Sequence, residues 1–320
     1  MKCDNLVLVT GGTGFVGSHI VEELLKCGFI VRSPVHQRAA VVHHPNLEYI
    51  PADLSSDADC VRIMRGVHSV VHAAGTVGAV SVGSQAMFDG LTLNLLLTLK
   101  VLRSAWAAGV KKILLFGSST AYPNVDHAVS EKEMWDGPPH PSYFGYGWMR
   151  RYLELLGEYV ARQSKMSVLL LRPTAVYGPR DNFNPATCHV VPALIRRALA
   201  KENPFVVWGT GNEMRDFLHV RDLARAVVRM LEKGKGCDPV NIGFGRGICI
   251  RDVVKVVLKA AGHDRADIVF DASRPTAIPR RLVDISKARK LFGFEPEITF
   301  EAGISETIDW YRKQESALRF

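Results

Sequence analysis

Three polar side chains in the middle of the chain have the types and the spacing needed for proton transfer. Tyr146 and Arg150 are one helical turn apart, so a helix would place the phenol and the guanidinium on the same face. A phenol has an ordinary pKa near 10 and is a poor base at neutral pH, but a neighbouring cation favours the phenolate. Ser118 follows the apolar segment 112–116 and supplies a hydroxyl that can share the proton of a substrate alcohol. Together these residues predict acid–base chemistry at an alcohol or carbonyl group.

A glycine-rich turn at the start of the chain predicts a binding site for the hydride carrier that such chemistry needs. The apolar residues 6–9 are typical of a buried parallel strand. Gly11, Gly14 and Gly17 follow. In this pattern the glycines permit a tight turn, let the backbone approach a pyrophosphate, and let helix and strand pack closely. The helix predicted from about residue 16 to 27 then offers free N–H groups and its positive dipole end to the phosphates.

The end of the second predicted strand, 29–32, indicates which dinucleotide is bound. An acidic residue at this point would bind the ribose hydroxyls of NAD. Residues 33–38 contain no carboxylate, and cations are present at Arg32, His36 and Arg38. This pattern favours the 2′-phosphate of NADP(H). The alternative, that these are solvated surface charges, leaves NAD(H) possible.

Composition limits the remaining classes of protein. The chain has 40 Lys and Arg residues and 32 Asp and Glu residues, a net charge of +8. No dense run of basic residues indicates nucleic-acid binding. The excess of basic residues is instead consistent with ligands that carry pyrophosphates. No apolar run reaches the roughly 18 residues of a membrane span. Six cysteines without metal-like spacing indicate no metal site and a reduced, cytoplasmic setting.

Alternating strands and helices must position these groups. Predicted strands at 6–9, 29–32, 47–51, 67–71, 112–116 and 167–171 indicate an α/β fold with a Rossmann-type doubly wound parallel sheet. A long helical region covers about 81–108, and residues 172–184 are predicted to form a loop. Shorter elements then indicate a smaller C-terminal α/β lobe that binds substrate. The predicted domains are 1–174 with about 218–243, and 175–217 with 244–320.

Arginines in the predicted smaller lobe are candidates for binding a nucleotide diphosphate, because the guanidinium fork matches phosphate geometry. The candidates are Arg215, Arg274, Arg280 and Arg281. Of these, Arg215 in the segment 209–217 has the strongest sequence context.

The motifs 10–17, 116–122, 142–151, 177–184, 189–192 and 207–212 resemble the extended short-chain dehydrogenase/reductase superfamily, over nearly the whole chain. The similarity is greatest to its nucleotide-sugar enzymes, namely GDP-fucose synthases and UDP-galactose 4-epimerases. The resemblance implies an NAD(P)-dependent nucleotide-sugar epimerase or 4-ketoreductase, and a nucleotide-diphosphate sugar as substrate. It also implies a homodimer that pairs through helical faces within 81–108 and 146–163.

The resemblance assigns roles to individual positions. The catalytic residues would be Ser118, Tyr146, Arg150 and His189. The cofactor-binding residues would be Gly11, Gly14, Phe15, Val16, Gly17, His36, Arg38, Asp53, Leu54, Ala73, Ala74, Asn94, Tyr146, Arg150, Pro173 and Val176. The substrate-binding residues would be Ser118, Thr120, Asn182, His189, Val190, Trp208, Arg215, Arg274 and Arg280.

Departures from the family pattern leave the reaction open. Arg150 stands where the family has lysine, and it cannot relay a proton because guanidinium stays protonated. Thr120 stands where GDP-fucose synthases have a cysteine base, and Ala175 replaces a common asparagine. Ser119 and Thr120 replace the acidic pair of sugar dehydratases, so dehydration is not expected. A full 3,5-epimerase/4-reductase and a catalytically silent dinucleotide sensor remain as alternatives.

Overall fold

Strands and helices alternate along residues 6–76, 84–274 and 278–318, the parts of the chain that the computed structural model describes. In chain order the strands are β1 (Leu6–Thr10), β2 (Ile30–Val35), β3 (Leu47–Pro51), β4 (Ser69–His72), β5 (Lys112–Phe116), β6 (Ala128–Val129), β7 (Ser167–Pro173), β8 (Ala175–Tyr177), β9 (Phe205–Trp208), β10 (Met214–Arg215), β11 (Phe217–His219), β12 (Val240–Ile242), β13 (Ile248–Cys249), β14 (Ile268–Asp271) and β15 (Arg280–Val283). The α-helices are α1 (Phe15–Lys26), α2 (Asp57–Ile63), α3 (Ser84–Ala107), α4 (Phe144–Gln163), α5 (Val190–Leu199), α6 (Val220–Lys233), α7 (Ile250–Ala260), α8 (Ser286–Phe292) and α9 (Phe300–Leu318).

Seven parallel strands form the central sheet in the order β12-β7-β5-β4-β1-β2-β3. The chain moves outward in one direction from β1 through β2 to β3, and then in the other direction from β4 onward. This reversal creates a crevice between the carboxyl ends of β1 and β4, where open α/β sheets bind their ligands. The predicted Rossmann-type doubly wound fold is confirmed.

Alternate residues of the strands feed two hydrophobic layers. Val7 and Val9 face a layer that includes residues of α1 and α6, whereas Leu8 faces a layer that includes residues of α2 and α3. Both faces of the sheet are therefore covered, which explains why the inner strands β1, β5 and β7 contain continuous apolar runs without polar alternation. Among the described residues, no helix is both long and apolar enough to cross a membrane.

Strand β2 is longer than the sequence predicts. Its pairing with β1 ends at Arg32, and from Ser33 to Val35 it pairs only with β3. Pro34 lacks an N–H group, but no strand pairs with it on the β1 side, so the missing donor is tolerated. As a result, the strand ends at Val35, three residues beyond the predicted end.

The segment 172–184, predicted as a loop, contains strand β8. Residues Ala175–Tyr177 pair in parallel with Phe217–His219, a non-local partner that the turn-forming residues around them do not reveal. Further along, β13, β10, β15 and β6 form a four-stranded sheet, and β9 pairs with β14. Helices α5, α7 and α9 enclose a separate hydrophobic cluster beside these strands.

Strand β12 joins the central sheet next to β7, and α6 packs against α1. These placements agree with the expectation that 218–243 returns to the large sheet, although the division into two domains stays a prediction. The predicted helix 81–108 begins at Ser84 in the described residues, and its first predicted positions, 81–83, lie outside them.

Candidate active site

The glycine-rich turn is packed so tightly that Gly11 and Gly17 have no room for a side chain, and Gly14 has little. Gly11 has φ +71°, and a Cβ there would lie 2.8 Å from the backbone of Ala73. A Cβ on Gly17 would lie 2.0 Å from the Gly11 carbonyl oxygen, and one on Gly14 would lie 3.2 Å from the same atom. Helix α1 begins directly after Gly14, so the first N–H groups of the helix, at Phe15, Val16 and Gly17, face the turn without helical partners. This cradle fits a dinucleotide pyrophosphate.

A buried hydrogen-bonded chain holds the opposite wall of this cradle. Thr98 Oγ1 donates to the carbonyl of Asn94, so it accepts from His72 Nε2 at 3.1 Å. The other ring nitrogen of His72 then accepts from Thr10 Oγ1 at 2.8 Å, and Thr10 Oγ1 accepts from the Ala74 N–H. Burial lowers the pKa of His72 to about 3, so the ring is neutral. His72 is a structural residue that fixes the backbone at Ala73 and Ala74.

Asn94 acts on the same wall from α3. Its amide nitrogen donates to the Thr76 carbonyl at 2.8 Å, and its amide oxygen accepts from the Thr76 N–H at 2.9 Å. A Cβ on Gly75 would lie 2.5 Å from that oxygen. Both polar groups of Asn94 are therefore used to hold residues 75–76, next to the predicted cofactor segment.

At the end of β2, the structure separates the three predicted cations. Arg32 is held by Glu48 at 2.8 Å and by the carbonyls of Ile63 and Arg65, so it braces the sheet and is not available to a phosphate. His36 and Arg38 are exposed. Arg38 Nη1 lies 3.9 Å from the position of a Cβ on Gly14, above the glycine-rich turn.

The predicted adenine contact lies across from this strand end. Asp53 is half-buried and follows β3, and Leu54 beside it is buried. Hydrogen bonds from Ser55 hold the pKa of the Asp53 carboxyl below its usual value, and His36 adds to this effect. Asp53 is thus ionised at neutral pH and lies near His36, at the edge where an adenosine would be read.

Ser118 and Thr120 form a pair of hydroxyls at the end of β5. Their oxygens are 2.8 Å apart, and the Thr120 N–H donates to Ser118 Oγ at 3.1 Å. Ser118 is the residue before a short 3-10 helix, Ser119–Ala121, which turns the chain away from the sheet. Both side chains are half-buried, so they are reachable from the crevice.

Arg150 makes the contact on which the predicted acid–base centre depends. Its Nη2 donates to Tyr146 Oη at 2.5 Å, and its Nη1 donates to the Phe116 carbonyl at 2.8 Å. The same guanidinium lies 4.9 Å from the centre of the Tyr146 ring. Because Phe116 ends β5, the guanidinium ties the phenol to the strand end that Ser118 follows. The structure therefore brings Ser118, Tyr146 and Arg150 to one end of the sheet.

A buried ion pair packs against the backbone at the end of β5. Arg172 Nη2 and Glu154 Oε2 lie 2.6 Å apart, and both side chains are almost fully buried. Arg172 Nη1 also donates to Tyr122 Oη at 2.8 Å. A Cβ on Gly117 would lie 2.3 Å from Glu154 Oε1. The pair therefore packs directly behind the backbone of Gly117 and Ser118.

His189 immediately precedes α5, which begins at Val190. Its side chain is exposed to solvent, yet the surrounding protein lowers its pKa below the usual value. Asn182 lies in the preceding loop, where its side-chain amide donates to Thr187 and accepts from the Asn184 N–H.

Two of the predicted phosphate-binding arginines, Arg215 and Arg281, lie side by side on neighbouring strands. Arg215 on β10 is directly opposite Arg281 on the parallel strand β15, so their side chains share one face. Burial, and then the charge of Arg281, lower the pKa of Arg215 to about 10. Two guanidinium nitrogens of Arg281, Nε and Nη2, are buried and have no hydrogen-bond partner among the described residues. Arg281 also lies 4.3 Å from the centre of the Tyr143 ring.

Arg280 has the opposite orientation. It pairs in register with Met214, is exposed, and donates to the Asp126 carbonyl at 2.5 Å. The structure therefore groups Arg281, and not Arg280, with Arg215. Neighbouring residues of a strand point to opposite faces, so only one of Arg280 and Arg281 can share a face with Arg215. Which of them does so depends on the register between β10 and β15, which the sequence alone does not give.

The remaining predicted residues are Trp208, Arg274, Pro173 and Val176. Trp208 ends β9 and lies 5.5 Å from the Arg274 guanidinium, so these two form a separate exposed contact. Pro173 ends β7 beside β12, and Val176 on β8 packs partly against the layer that contains α1.

The fold, the glycine cradle and the Ser118–Tyr146–Arg150 group define a dinucleotide-dependent oxidoreductase or isomerase of the short-chain dehydrogenase/reductase class. The family described as "NAD dependent epimerase/dehydratase family" matches residues 7–243. The chain belongs to this family, within its group of nucleotide-sugar epimerases and reductases.

Particular relatives agree with this assignment. GDP-L-fucose synthase 1 of Arabidopsis thaliana is 34% identical over 314 residues, which cover 96% of this chain and 93% of the relative. A dTDP-4-dehydro-6-deoxy-D-allose reductase of a Streptomyces species is 30% identical over 319 residues, covering 96% of both. The crystal structure of UDP-glucose 4-epimerase from Thermotoga maritima with UDP-glucose has a TM-score of 0.86 at 27% identity, and covers 97% of this chain and 99% of that chain.

Proposed function

We propose that this chain is an NADP(H)-dependent 4-ketoreductase of nucleotide-diphosphate sugars. The contact between Arg150 and the Tyr146 hydroxyl is the observation that carries the proposal, because it equips a phenol for proton transfer beside a dinucleotide cradle. Gly11, Gly14 and Gly17 would hold the pyrophosphate. When bound, the nicotinamide of the cofactor supplies the hydride.

Tyr146 is the proposed proton donor to the sugar's carbonyl oxygen. Loss of its proton leaves a phenolate, which the Arg150 guanidinium stabilises through the hydrogen bond and its charge. Arg150 itself stays protonated, so the tyrosine regains its proton from solvent and not from Arg150.

Ser118 is proposed to donate a hydrogen bond to the same carbonyl oxygen. Its Oγ already accepts from the Thr120 N–H. If Thr120 Oγ1 also donates to Ser118 Oγ, the serine proton is free to point at the substrate. Thr120 is thus a supporting residue for Ser118, and since a hydroxyl is far less acidic than a thiol, it does not supply a base for 3,5-epimerisation.

The choice of NADP(H) rests on the end of β2. Arg38 and His36 are exposed there, Arg38 lies over the glycine-rich turn, and residues 33–38 contain no carboxylate. A guanidinium at this position suits a 2′-phosphate. NADPH is also the cofactor expected for a reductase that consumes it stoichiometrically.

For the substrate, we propose that Arg215 and Arg281 bind the diphosphate. The two guanidinium groups share one face, and the unpartnered nitrogens of Arg281 provide donors for an anion. Trp208 and Arg274 would lie at the nucleotide end, and His189 at the sugar end.

A 4-epimerase is the second candidate. The fold similarity to UDP-glucose 4-epimerase from Thermotoga maritima favours it. In this proposal, Ser118 and Tyr146 would serve oxidation at C4 and then reduction from the other face, and the cofactor would be regenerated. Incubation with NADPH and a panel of nucleotide sugars, including 4-keto-6-deoxy forms, distinguishes the two. One NADPH oxidised per sugar reduced supports the reductase, and a change at C4 without NADPH loss supports the epimerase. Tight NADPH binding without either change would identify a silent sensor and refute the proposal.

We further propose that the protein is a homodimer that pairs through α3 and α4. Large apolar side chains on α4 recur every three or four residues and remain exposed, as do several on the adjacent α3. They are Phe144, Trp148, Tyr152, Leu155 and Tyr159 on α4, and Phe88, Leu93, Leu96, Leu99 and Trp106 on α3. Light scattering should show a dimer that Tyr152→Glu converts to a monomer. A monomeric parent protein would refute this proposal.

A reducing compartment such as the cytoplasm is proposed as the setting. Cys27, Cys60, Cys188, Cys237 and Cys249, the cysteines in the described part of the chain, are all free thiols. Free thiols persist where glutathione and thioredoxin keep them reduced.

A further inference from the structure

Side chains with no part in the proposed proton transfer fasten the loop after β8 to the cofactor helix α1. Arg180 Nη1 donates to Ser18 Oγ at 3.1 Å, and Arg180 Nη2 donates to Glu22 Oε1 at 2.5 Å. His19 bonds the Pro179 carbonyl through Nε2 at 2.9 Å. Because a carbonyl only accepts, the imidazole proton lies on Nε2. Three hydrogen bonds thus join α1 to residues 179–180.

The backbone of Arg180 is strained at the point where the loop is attached to α1. Its φ is +67°, in the left-handed region that side-chain-bearing residues other than Asn and Asp seldom adopt. A glycine would adopt this conformation without strain, but it would not reach Ser18 or Glu22. The strained backbone is therefore combined with a side chain that makes two hydrogen bonds to α1.

On α1 these hydrogen bonds lie next to the proposed dinucleotide site, and in the loop they lie near the proposed sugar site. Ser18 follows Gly17, whose N–H belongs to the proposed pyrophosphate cradle. Beyond Arg180, the Asn182 amide nitrogen donates to Thr187 Oγ1, and the chain reaches His189 within a few residues. This hydrogen bond lies within the loop that links Arg180 to the proposed sugar site.

We infer that Arg180 is a positioning residue that couples the binding of the dinucleotide on α1 to the binding of the nucleotide sugar by the loop 178–189. The inference rests on the proposed function, because it concerns the two ligands named there. Closing of the cradle around the dinucleotide would hold α1, and the Arg180–Glu22 contact would then hold the loop in its binding position. By linkage, each ligand then tightens the binding of the other by the same factor.

Binding calorimetry tests this coupling without turnover. The dissociation constants of GDP, and of UDP in parallel, are measured with and without saturating NADPH. In the parent protein we expect NADPH to tighten binding of the preferred diphosphate. In Arg180→Asn, which tolerates a positive φ, and in Glu22→Gln, which leaves the loop unaltered, this factor should fall by about two- to tenfold. The double variant should lose no more than Arg180→Asn alone, because Arg180→Asn already removes the contact with Glu22.

Hydrogen exchange of the ligand-free protein supplies a second readout. The amides of 181–189 should exchange faster in Arg180→Asn and Glu22→Gln than in the parent protein. Lys255→Gln, which removes an exposed ion pair with Asp252 on α7, is the matched control and should change neither readout. If Arg180→Asn does not fold, Glu22→Gln and Arg180→Lys carry the test.

The outcomes separate this inference from the proposed function. A parent protein that binds NADPH but neither diphosphate refutes the proposed function, and the inference with it. A parent protein that binds both ligands, with a coupling factor that the two variants leave unchanged, refutes the inference alone. A lower melting temperature with unchanged coupling would make Arg180 a merely structural residue, and it also refutes the inference.

Discussion

Replacing Arg150 tests whether this arginine supports the reaction or has made the protein catalytically silent. The guanidinium makes two hydrogen bonds, to Tyr146 Oη at 2.5 Å and to the Phe116 carbonyl at 2.8 Å. A hydrogen bond that involves a charged group contributes about 1.5–3 kcal/mol. If the bond to the phenolate is strongest in the transition state, its loss slows the reaction by about 10- to 100-fold, since each tenfold change corresponds to about 1.4 kcal/mol.

Arg150→Met should therefore lower kcat by at least this factor, because it removes both donors and the charge. Arg150→Lys keeps the charge but presents one compact ammonium, which cannot span the two acceptors as a planar fork does. We expect an intermediate loss of about tenfold. Steady-state kinetics with NADPH and the preferred 4-keto sugar measure both variants, and fluorescence titration of NADPH separates weaker cofactor binding from slower chemistry.

Arg162→Lys is the control on the same helix. Arg162 is exposed and pairs with Glu158 one turn away, so its replacement should leave kcat unchanged. An Arg150→Lys variant more active than the parent protein would contradict the reasoning, because it would show that arginine had impaired an ancestral lysine site. An Arg150→Met variant with full activity would refute the role of the cation altogether.

Other predictions concern the cradle, the buried ion pair and the buried histidine. Gly17→Ala should abolish NADPH binding in a fluorescence titration, because its Cβ would lie 2.0 Å from the Gly11 carbonyl oxygen; retained affinity would contradict the assigned cradle. Glu154→Gln should lower the free energy of unfolding in urea by about 3–5 kcal/mol, since it leaves Arg172 buried without its counter-charge, and a loss below about 1 kcal/mol would contradict this. Burial lowers the pKa of His72 to about 3, so its contribution to stability is complete above its unfolded value of 6.5 and is lost as the pH falls toward 3. When the pH falls from 7 to 5, the free energy of unfolding in urea should therefore fall by about 2 kcal/mol less in His72→Gln than in the parent protein. Equal decreases in the two proteins would contradict the assignment.

Local patterns in the sequence were sufficient to predict most of the central sheet. The strands at 47–51 and 112–116 lie where the sequence predicts them, because the pattern that indicates a strand lies within the strand itself. The glycine-rich turn was likewise predictable, because Gly11, Gly14 and Gly17 lie close together in the sequence. The close grouping of Tyr146 and Arg150 follows from helical geometry alone.

Features that depend on non-local pairing could not be predicted. Strand β8 forms because Phe217–His219 pair with it, and β2 continues through Pro34 because no strand borders its far end on the β1 side. Arg32 is sequestered by Glu48, its neighbour across β2 and β3. The preference for Arg281 over Arg280 depends on the register of β15 against β10. Such facts depend on which strands meet, which the sequence pattern does not reveal.

Hydride transfer by Tyr146→Phe, compared with the parent protein at equal NADPH occupancy, tests the central claim most directly. The change removes only the hydroxyl that Arg150 contacts, so NADPH affinity should stay within about twofold while the rate of NADPH oxidation falls by about 10²- to 10⁴-fold. Single-turnover absorbance of the nicotinamide, with a 4-keto nucleotide sugar, measures this rate. A loss of this size at unchanged affinity would establish Tyr146 as the acid–base group. An unchanged rate would contradict the whole account of the site.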